Sequence, residues 1–205
     1  MDIENIKNER FHYDFIEIGT SDFDSLSQLE ESKNGISVEP LKIYLDRLPN
    51  KEGIVKVNCA ISNVDGESNI FWIHPSDIEK YELPWWLKGC SSLYSPHPAM
   101  IRELRERNLN SLLRMSTCPM ISWETLVRNY RVKSVDFLKI DTEGHDCVIL
   151  NGILDSSEKI YPRKINFESN GLVPEDEVNS TINKLISLGY TIISRDGWEV
   201  VAEIN

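Results

Sequence analysis

The chain has 205 residues, 40% of them apolar and 27% charged, enough for one α/β domain with a buried core. Its formal net charge of −11 opposes a phosphate backbone, so no nucleic-acid partner is expected and a neutral or cationic ligand fits better. No apolar run approaches the roughly 18 residues of a membrane span, and no basic stretch followed by an apolar one opens the chain. The expectation is a soluble, cytoplasmic protein with no membrane partner. Cys59, Cys90, Cys118 and Cys147 lie far apart without a CxxC pair, which reads as small buried hydrophobes in a reducing compartment. Arg102, Arg105 and Arg107 alternate with Glu103 and Glu106, the pattern of a solvated helix face rather than a basic patch.

In chain order, Tyr13 to Gly19 reads as a short strand ending in a glycine, and Ser21 to Glu31 as a helix with Phe23, Leu26 and Leu29 on one face. Gly35 to Glu39 is a second strand; Pro40 stops it and opens a helix through Leu48. Ile54 to Ser62 is a third strand, Asn63 to Gly66 a turn, and Ser68 to Ile73 a returning strand. This β-α-β-α-β order belongs to a parallel sheet with crossover helices. Positions 74 to 110 break the pattern with aromatics, prolines and serines, as an irregular insertion or lid ending in a helix from Ala99 to Asn108. Leu112 to Pro119 reads as a strand and Ser122 to Tyr130 as a helix capped by Ser122. Val135 to Asp141 is the fourth parallel strand, followed by a helix from His145 to Asn151 that Gly152 can end. Lys164 to Glu168 is a fifth strand, and Glu175 to Leu188 a helix. Tyr190–Ser194 and Trp198–Ile204 flank Asp196-Gly197, a hairpin signal. A parallel sheet is thus expected to close with an antiparallel pair.

Open α/β sheets bind ligands at the carboxyl ends of their strands, and several chemistry-bearing residues fall there. Gly19 lets backbone approach a ligand closely, but the flanking Glu17 and Asp22 suit a cationic group rather than a pyrophosphate. Glu39 follows the second strand and can accept hydrogen bonds from ribose hydroxyls. Asp141, Glu143 and His145 crowd the tip of the fourth strand, and Glu168 and Asn170 that of the fifth. Asp141, Glu168 and Asn170 together offer oxygen ligands for Mg2+ or another divalent cation such as Ca2+. Within the insertion, His74 and His97 each precede a proline in an extended loop and are candidates to touch substrate. Trp85 is either lid packing or a stacking surface for a sugar.

The order Ile16-Glu-Ile-Gly-Thr-Ser, Ser37-Val-Glu-Pro40, Val57-Asn-Cys-Ala-Ile-Ser62, Ser91-Ser-Leu93 and Phe137-Leu-Lys-Ile-Asp-Thr-Glu-Gly-His145 resembles the FkbM family of methyltransferases, from about Tyr13 to Tyr190. The resemblance implies a Rossmann-like class I methyltransferase fold, with a mostly parallel seven-stranded sheet and a C-terminal antiparallel hairpin. It implies S-adenosylmethionine as cofactor and a small-molecule or carbohydrate acceptor, glycan or nucleotide-sugar, methylated on a hydroxyl. Glu17 and Gly19 would then face the methionine part of the donor, Glu39 its ribose, and Ala60 and Ile61 with Ser91 or Ser92 its adenine, with Ser21 also among the donor-binding residues. Asp141 would lie beside the methyl centre. The chain departs from the family in its first loop, where Thr20 to Asp24 stands in place of a second glycine. An alcohol acceptor must lose a proton, and His145 is the first choice of base. Asp141 would orient it or act through a metal that lowers the acceptor's pKa, and Glu143 and Glu168 are alternatives. A nicotinamide oxidoreductase would want the glycines the first loop lacks, and an RNA ribose methylase a basic groove. A degenerate binding module would not need Glu39 and Asp141 intact.

Overall fold

The computed structural model describes residues 9–23, 25–29 and 33–204. Eleven strands form two sheets among the described residues. The main sheet runs β3 (Ile54–Val57), β2 (Gly35–Val38), β1 (Phe11–Ile18), β8 (Val132–Ile140), β9 (Lys164–Glu168), β11 (Glu199–Glu203), β10 (Thr191–Arg195). β11 is antiparallel to both its neighbours, and the pairings from β3 across to β9 are all parallel. This is the expected seven-stranded, mostly parallel sheet with its closing hairpin. Asp196 makes the hairpin turn, its carboxylate accepting the Trp198 and Glu199 amides at 2.7 and 2.9 Å.

The central strands are buried on both faces, as a parallel sheet requires: Ile16, Ile36, Leu138 and Ile165 have no exposed surface. Their cover comes from helices α4 (Trp123–Asn129), α5 (Asp146–Asp155) and α6 (Glu175–Ser187), whose Leu126, Leu150 and Leu185 join the same core. Ser122 caps α4 as expected, accepting the Thr125 amide. All four cysteines are free and buried. No helix among the described residues is long and apolar enough to cross a membrane.

Several expected elements differ. The third strand does not run on to Ser62. It stops at Val57, and β4 (Ala60–Ser62) enters a second sheet in the order β4, β7 (Leu113–Ser122), β5 (Gly66–Ile73), β6 (Ser92–Leu93). Asn58 makes the break: its amide donates to the Glu39 and Pro40 carbonyls, both at 2.9 Å, and turns the chain out of the main sheet. The helix expected from Pro40 to Leu48 shrinks to α1 (Lys42–Leu45): Leu41 stays extended before it, and after it Arg47 and Leu48 bond the carbonyls three residues back, at Tyr44 and Leu45. The helix expected from Ser21 to Glu31 reduces, among the described residues, to a single 3₁₀ turn at Leu26–Gln28; positions 24 and 30–32 lie outside them. Gly152 sits inside α5 rather than ending it. A Cβ there would stand 3.3 Å from the Asn63 backbone, so the glycine lets the helix approach the turn. Positions 74 to 110 hold α2 (Pro75–Lys80), a 3₁₀ turn at Trp85–Lys88 and α3 (Pro98–Glu106). These pack Ile78, Leu87, Met100 and Leu104 into a small core of their own.

β1 and β8 are neighbours from which the chain leaves in opposite directions across the sheet, so their tips form the switch point where a crevice opens. They approach closely. The Asp141 amide donates to the Ile18 carbonyl at 3.0 Å, and Gly19, at φ +87°, leaves so little room that a Cβ would stand 1.8 Å from the Asp141 carbonyl oxygen. Gly19→Ala should therefore destabilise the fold by about 2–4 kcal/mol through overpacking and a left-handed backbone. Gly197→Ala, which meets nothing within 4 Å, should stay within about 0.5 kcal/mol of the parent. Urea unfolding of the two variants measures the difference.

Candidate functional site

The crevice at the switch point encloses about 720 Å³ with its open mouth included, and Gly19, Glu39 and Asp141 all line it. Of the residues expected to hold the donor, Ser21, Ala60, Ile61 and Ser91 line the same crevice. The second sheet supplies its far wall through Ala60, Ile61, Ile70 and Leu93.

The first loop is built without a second glycine. Ser21 takes the left-handed region itself, at φ 47°, and aims its amide at Glu39 Oε2, 2.9 Å away. Its hydroxyl donates to the Lys88 carbonyl at 3.2 Å. Asp22, buried beside it, faces Arg47 at 3.0 Å and Lys88 at 3.4 Å. The loop is thus clasped to the segment from Trp85 to Gly89. Glu39 is 4% exposed and accepts two backbone amides, Ser21 on Oε2 and Leu41 on Oε1. A carboxylate has about four lone-pair sites, so two remain for further partners. Burial, helped by Asp22 and Asp141, raises its pKa to about 7 against the pull of those amides.

Asp141 faces the crevice beside Lys139, whose Nζ is 3.7 Å from Oδ2. Burial raises its pKa to about 7, with Lys139 opposing and Asp146, Glu143 and Glu17 adding to the rise. Its side chain keeps 40% of its surface open, so water in an empty crevice offsets part of that shift. Asp141, Glu143 and Glu168 bring carboxylate oxygens within 4.8 Å of one another. Glu168 is raised by burial and then by its carboxylate neighbours, as expected where like charges cannot all ionise. Fully buried Asp146 braces the cluster: Oδ2 accepts the Thr142 hydroxyl at 2.7 Å and Oδ1 the Glu168 amide at 3.1 Å.

Several expected residues stand elsewhere. Glu17 is wholly buried beneath the crevice floor. Its Oε2 accepts the Ser25 hydroxyl at 2.6 Å and the Leu26 amide at 3.1 Å, and Lys139 stands 3.6 Å from Oε1; it holds the loop and is not among the residues lining the crevice. Ser92 turns away, its hydroxyl donating to the Ser95 carbonyl. His145 is not poised as a base. It is buried, its Nε2 is 2.9 Å from the Ser62 hydroxyl, and burial lowers its pKa to about 4. His74 caps α2 by accepting the Ser76 amide and lines neither the crevice nor the cavity beside it. Trp85, 66% exposed, does not line the crevice; it contacts Phe23, which does, edge-on at 5.4 Å.

The expected metal set does not fit either. Asn170 directs its oxygen to the Leu172 amide and turns its NH2 group, not an oxygen, to Glu168 at 2.6 Å and Glu143 at 3.4 Å. A cation at Asp141, Glu143 and Glu168 would have to displace that amide and compete with Lys139. Lys139, Thr142 and Asp146 were missed in the sequence. For Lys139 a signal existed: two residues before Asp141 on a strand, it shares that residue's face.

A carboxylate whose pKa is raised by folding binds more protons in the native state, so its contribution to stability is present at low pH and lost as pH rises from the unfolded value toward the folded one. For Glu39 that window runs from 4.5 to about 7. Between pH 5 and 8 the ligand-free protein should lose up to about 3 kcal/mol relative to Glu39→Gln, one pKa unit being worth ~1.4 kcal/mol. Urea titrations of both proteins across that range test it; parallel curves would contradict the assignment.

The sequence matches the family model described as Methyltransferase FkbM domain over residues 17–192. A comparison with curated proteins finds no match.

Proposed function

Because the chain belongs to the FkbM methyltransferase family, we propose that it is an O-methyltransferase, moving the methyl group of S-adenosylmethionine to a hydroxyl of a sugar or another small metabolite. The observation that carries this reading is the convergence of Gly19, Glu39 and Asp141, scattered over more than half the sequence, on one crevice. The residues suit the donor. Glu39 has two lone pairs left for the vicinal hydroxyls of a ribose, while Ala60 and Ile61 offer apolar surface to a base. Asp141, with Glu143 and Glu168 behind it, supplies negative potential where a sulfonium and an ammonium would sit.

When bound, the donor supplies a methyl carbon already activated by its positive sulfur, so the chain's own part is alignment and proton removal. Glu39 and the Ser21 loop fix the nucleoside. The clasp between Asp22 and Lys88 keeps the Trp85–Lys88 turn over it and limits water. The acidic rim makes nucleic acid and membrane lipid poor partners. Four free, buried cysteines support a reducing, cytoplasmic location.

Titration calorimetry with S-adenosylhomocysteine tests the reading. Binding is expected, with none for NAD+, and Glu39→Ala should weaken it by about 10- to 100-fold, equivalent to ~1.4–2.8 kcal/mol. Methyl transfer should be unaffected by EDTA. Binding of NAD+ without S-adenosylhomocysteine would overturn the proposal.

A further inference from the structure

Beside the crevice lies a second cavity of about 590 Å³, mouth included, lined among others by Leu93, Tyr94, His97, Glu143, His145 and Leu172. The two cavities share Leu93. They meet at the acid cluster, where Asp141 on the crevice side and Glu143 on the other bring carboxylate oxygens within 4.8 Å. A molecule in the second cavity would therefore be next to whatever lies beside Asp141.

Two of its residues, Tyr94 and Glu143, hold left-handed backbone at φ 65° and 56°. Non-glycine residues accept that conformation at a cost, and such strain clusters at binding and catalytic sites. Tyr94 is 60% exposed and its ring stands 5.3 Å from that of His145, giving the cavity an aromatic wall. His145, neutral and tied to Ser62, serves that wall rather than proton transfer.

His97 is placed differently. Its Nδ1 accepts the Ala99 amide at 3.1 Å and so caps α3. That bond keeps Nδ1 unprotonated, so in the neutral ring the proton sits on Nε2, which stands 3.1 Å from Glu143 Oε2. The same proton position turns His97 away from metal binding through Nε2, although Cys90, His97 and Glu143 lie near enough for it. The Asn170 amide also donates to Glu143 Oε2, at 3.4 Å. The other oxygen, Oε1, takes no hydrogen bond among the described residues. Side-chain exposures of 11% for His97 and 14% for Glu143 show both partly screened from solvent.

We propose that this cavity is the acceptor site, that Glu143 is the base that receives the acceptor's proton, and that His97 is a positioning residue holding Glu143 in place. The inference rests on the methyltransferase reading and deepens it. The acceptor oxygen bonds to the methyl carbon as the carbon–sulfur bond breaks. The electron pair of that bond stays on sulfur, leaving a neutral thioether, and the hydroxyl proton passes to Glu143 Oε1 and then to water. The lining also sets the class of acceptor. Among the described residues no lysine or arginine lines the cavity, and Glu143 stands with Glu168 and Asp141 at its edge. A phosphorylated acceptor would meet like charge with no counter-ion. The site suits a hydroxylated ring that is uncharged or carries an amine, packed on Tyr94, and disfavours nucleotide-sugars.

The experiment has three arms. Calorimetry with S-adenosylhomocysteine reports the donor site alone; His97→Asn should bind it within twofold of the parent. Loss of donor binding by the parent would strike the methyltransferase reading itself, whereas the other arms strike only this inference. Acceptor probes are methyl glycosides of a neutral hexose and of an amino-hexose, a hexose phosphate and a nucleotide-sugar, each tested for binding in the presence of S-adenosylhomocysteine and for methyl transfer. Binding and transfer are expected for the first two and neither for the phosphorylated pair; the reverse pattern, or no binding by any probe, overturns the inference. Glu143→Gln should lower kcat by roughly a hundredfold or more. His97→Asn retains a good helix cap but cannot reach Glu143, and should lower kcat by about ten- to a hundredfold with acceptor KM unchanged. A near-parental kcat in Glu143→Gln, or a His97→Asn loss confined to KM, would contradict the assigned roles.

Discussion

The site depends on how closely the tips of β1 and β8 approach. The Asp141 amide reaches the Ile18 carbonyl, and only a glycine at position 19 leaves room for the Asp141 carbonyl above it. The other two anchors follow from this pair. β2 lies alongside β1 and delivers Glu39 to the same rim; β9 lies alongside β8 and delivers Glu168. The packed sheet thus sets the spacing of four functional positions that are far apart in sequence, and the loops only have to aim the side chains.

That rim concentrates negative charge, and the protein manages it with hydrogen bonds. Glu39 is held by two amides, Glu17 by the Ser25 hydroxyl and an amide, and Asp146 by Thr142 and the Glu168 amide. Lys139 stands between Glu17 and Asp141. Burial still raises Glu39 and Asp141 to about 7, so the rim holds its negative charge under electrostatic strain. A cationic ligand relieves that strain and a neutral one does less. The methylated sulfonium and the thioether that remains after transfer differ in this respect, which favours entry of the one and exit of the other.

Much of this was legible in the sequence. Continuous apolar runs around Ile16 and Leu138 announced buried parallel strands, Asp196-Gly197 announced the hairpin, and Gly19, Glu39 and Asp141 stood at strand ends where ligands bind. What stayed hidden depended on contacts between distant residues. Nothing local says that Asn58 bonds the Glu39 and Pro40 carbonyls and diverts the third strand into a second sheet. His97 and His145 look alike in sequence, each in a loop before a helix. Only packing separates them, tying one to Ser62 and bringing the other to Glu143. Asn170 looks like an oxygen ligand until packing turns its oxygen to the Leu172 amide and its NH2 group to Glu168. Glu17 belongs to the expected motif but serves the loop, because its strand position points it beneath the crevice floor.

The central claim is that one crevice at the β1–β8 switch point holds the methyl donor. A crystal structure of the protein soaked with S-adenosylhomocysteine tests it most directly. The account predicts the ribose on Glu39, the base against Ala60 and Ile61, and the sulfur beside Asp141. A nucleoside bound in any other cavity, or one in this crevice with its ribose turned away from Glu39, would contradict it.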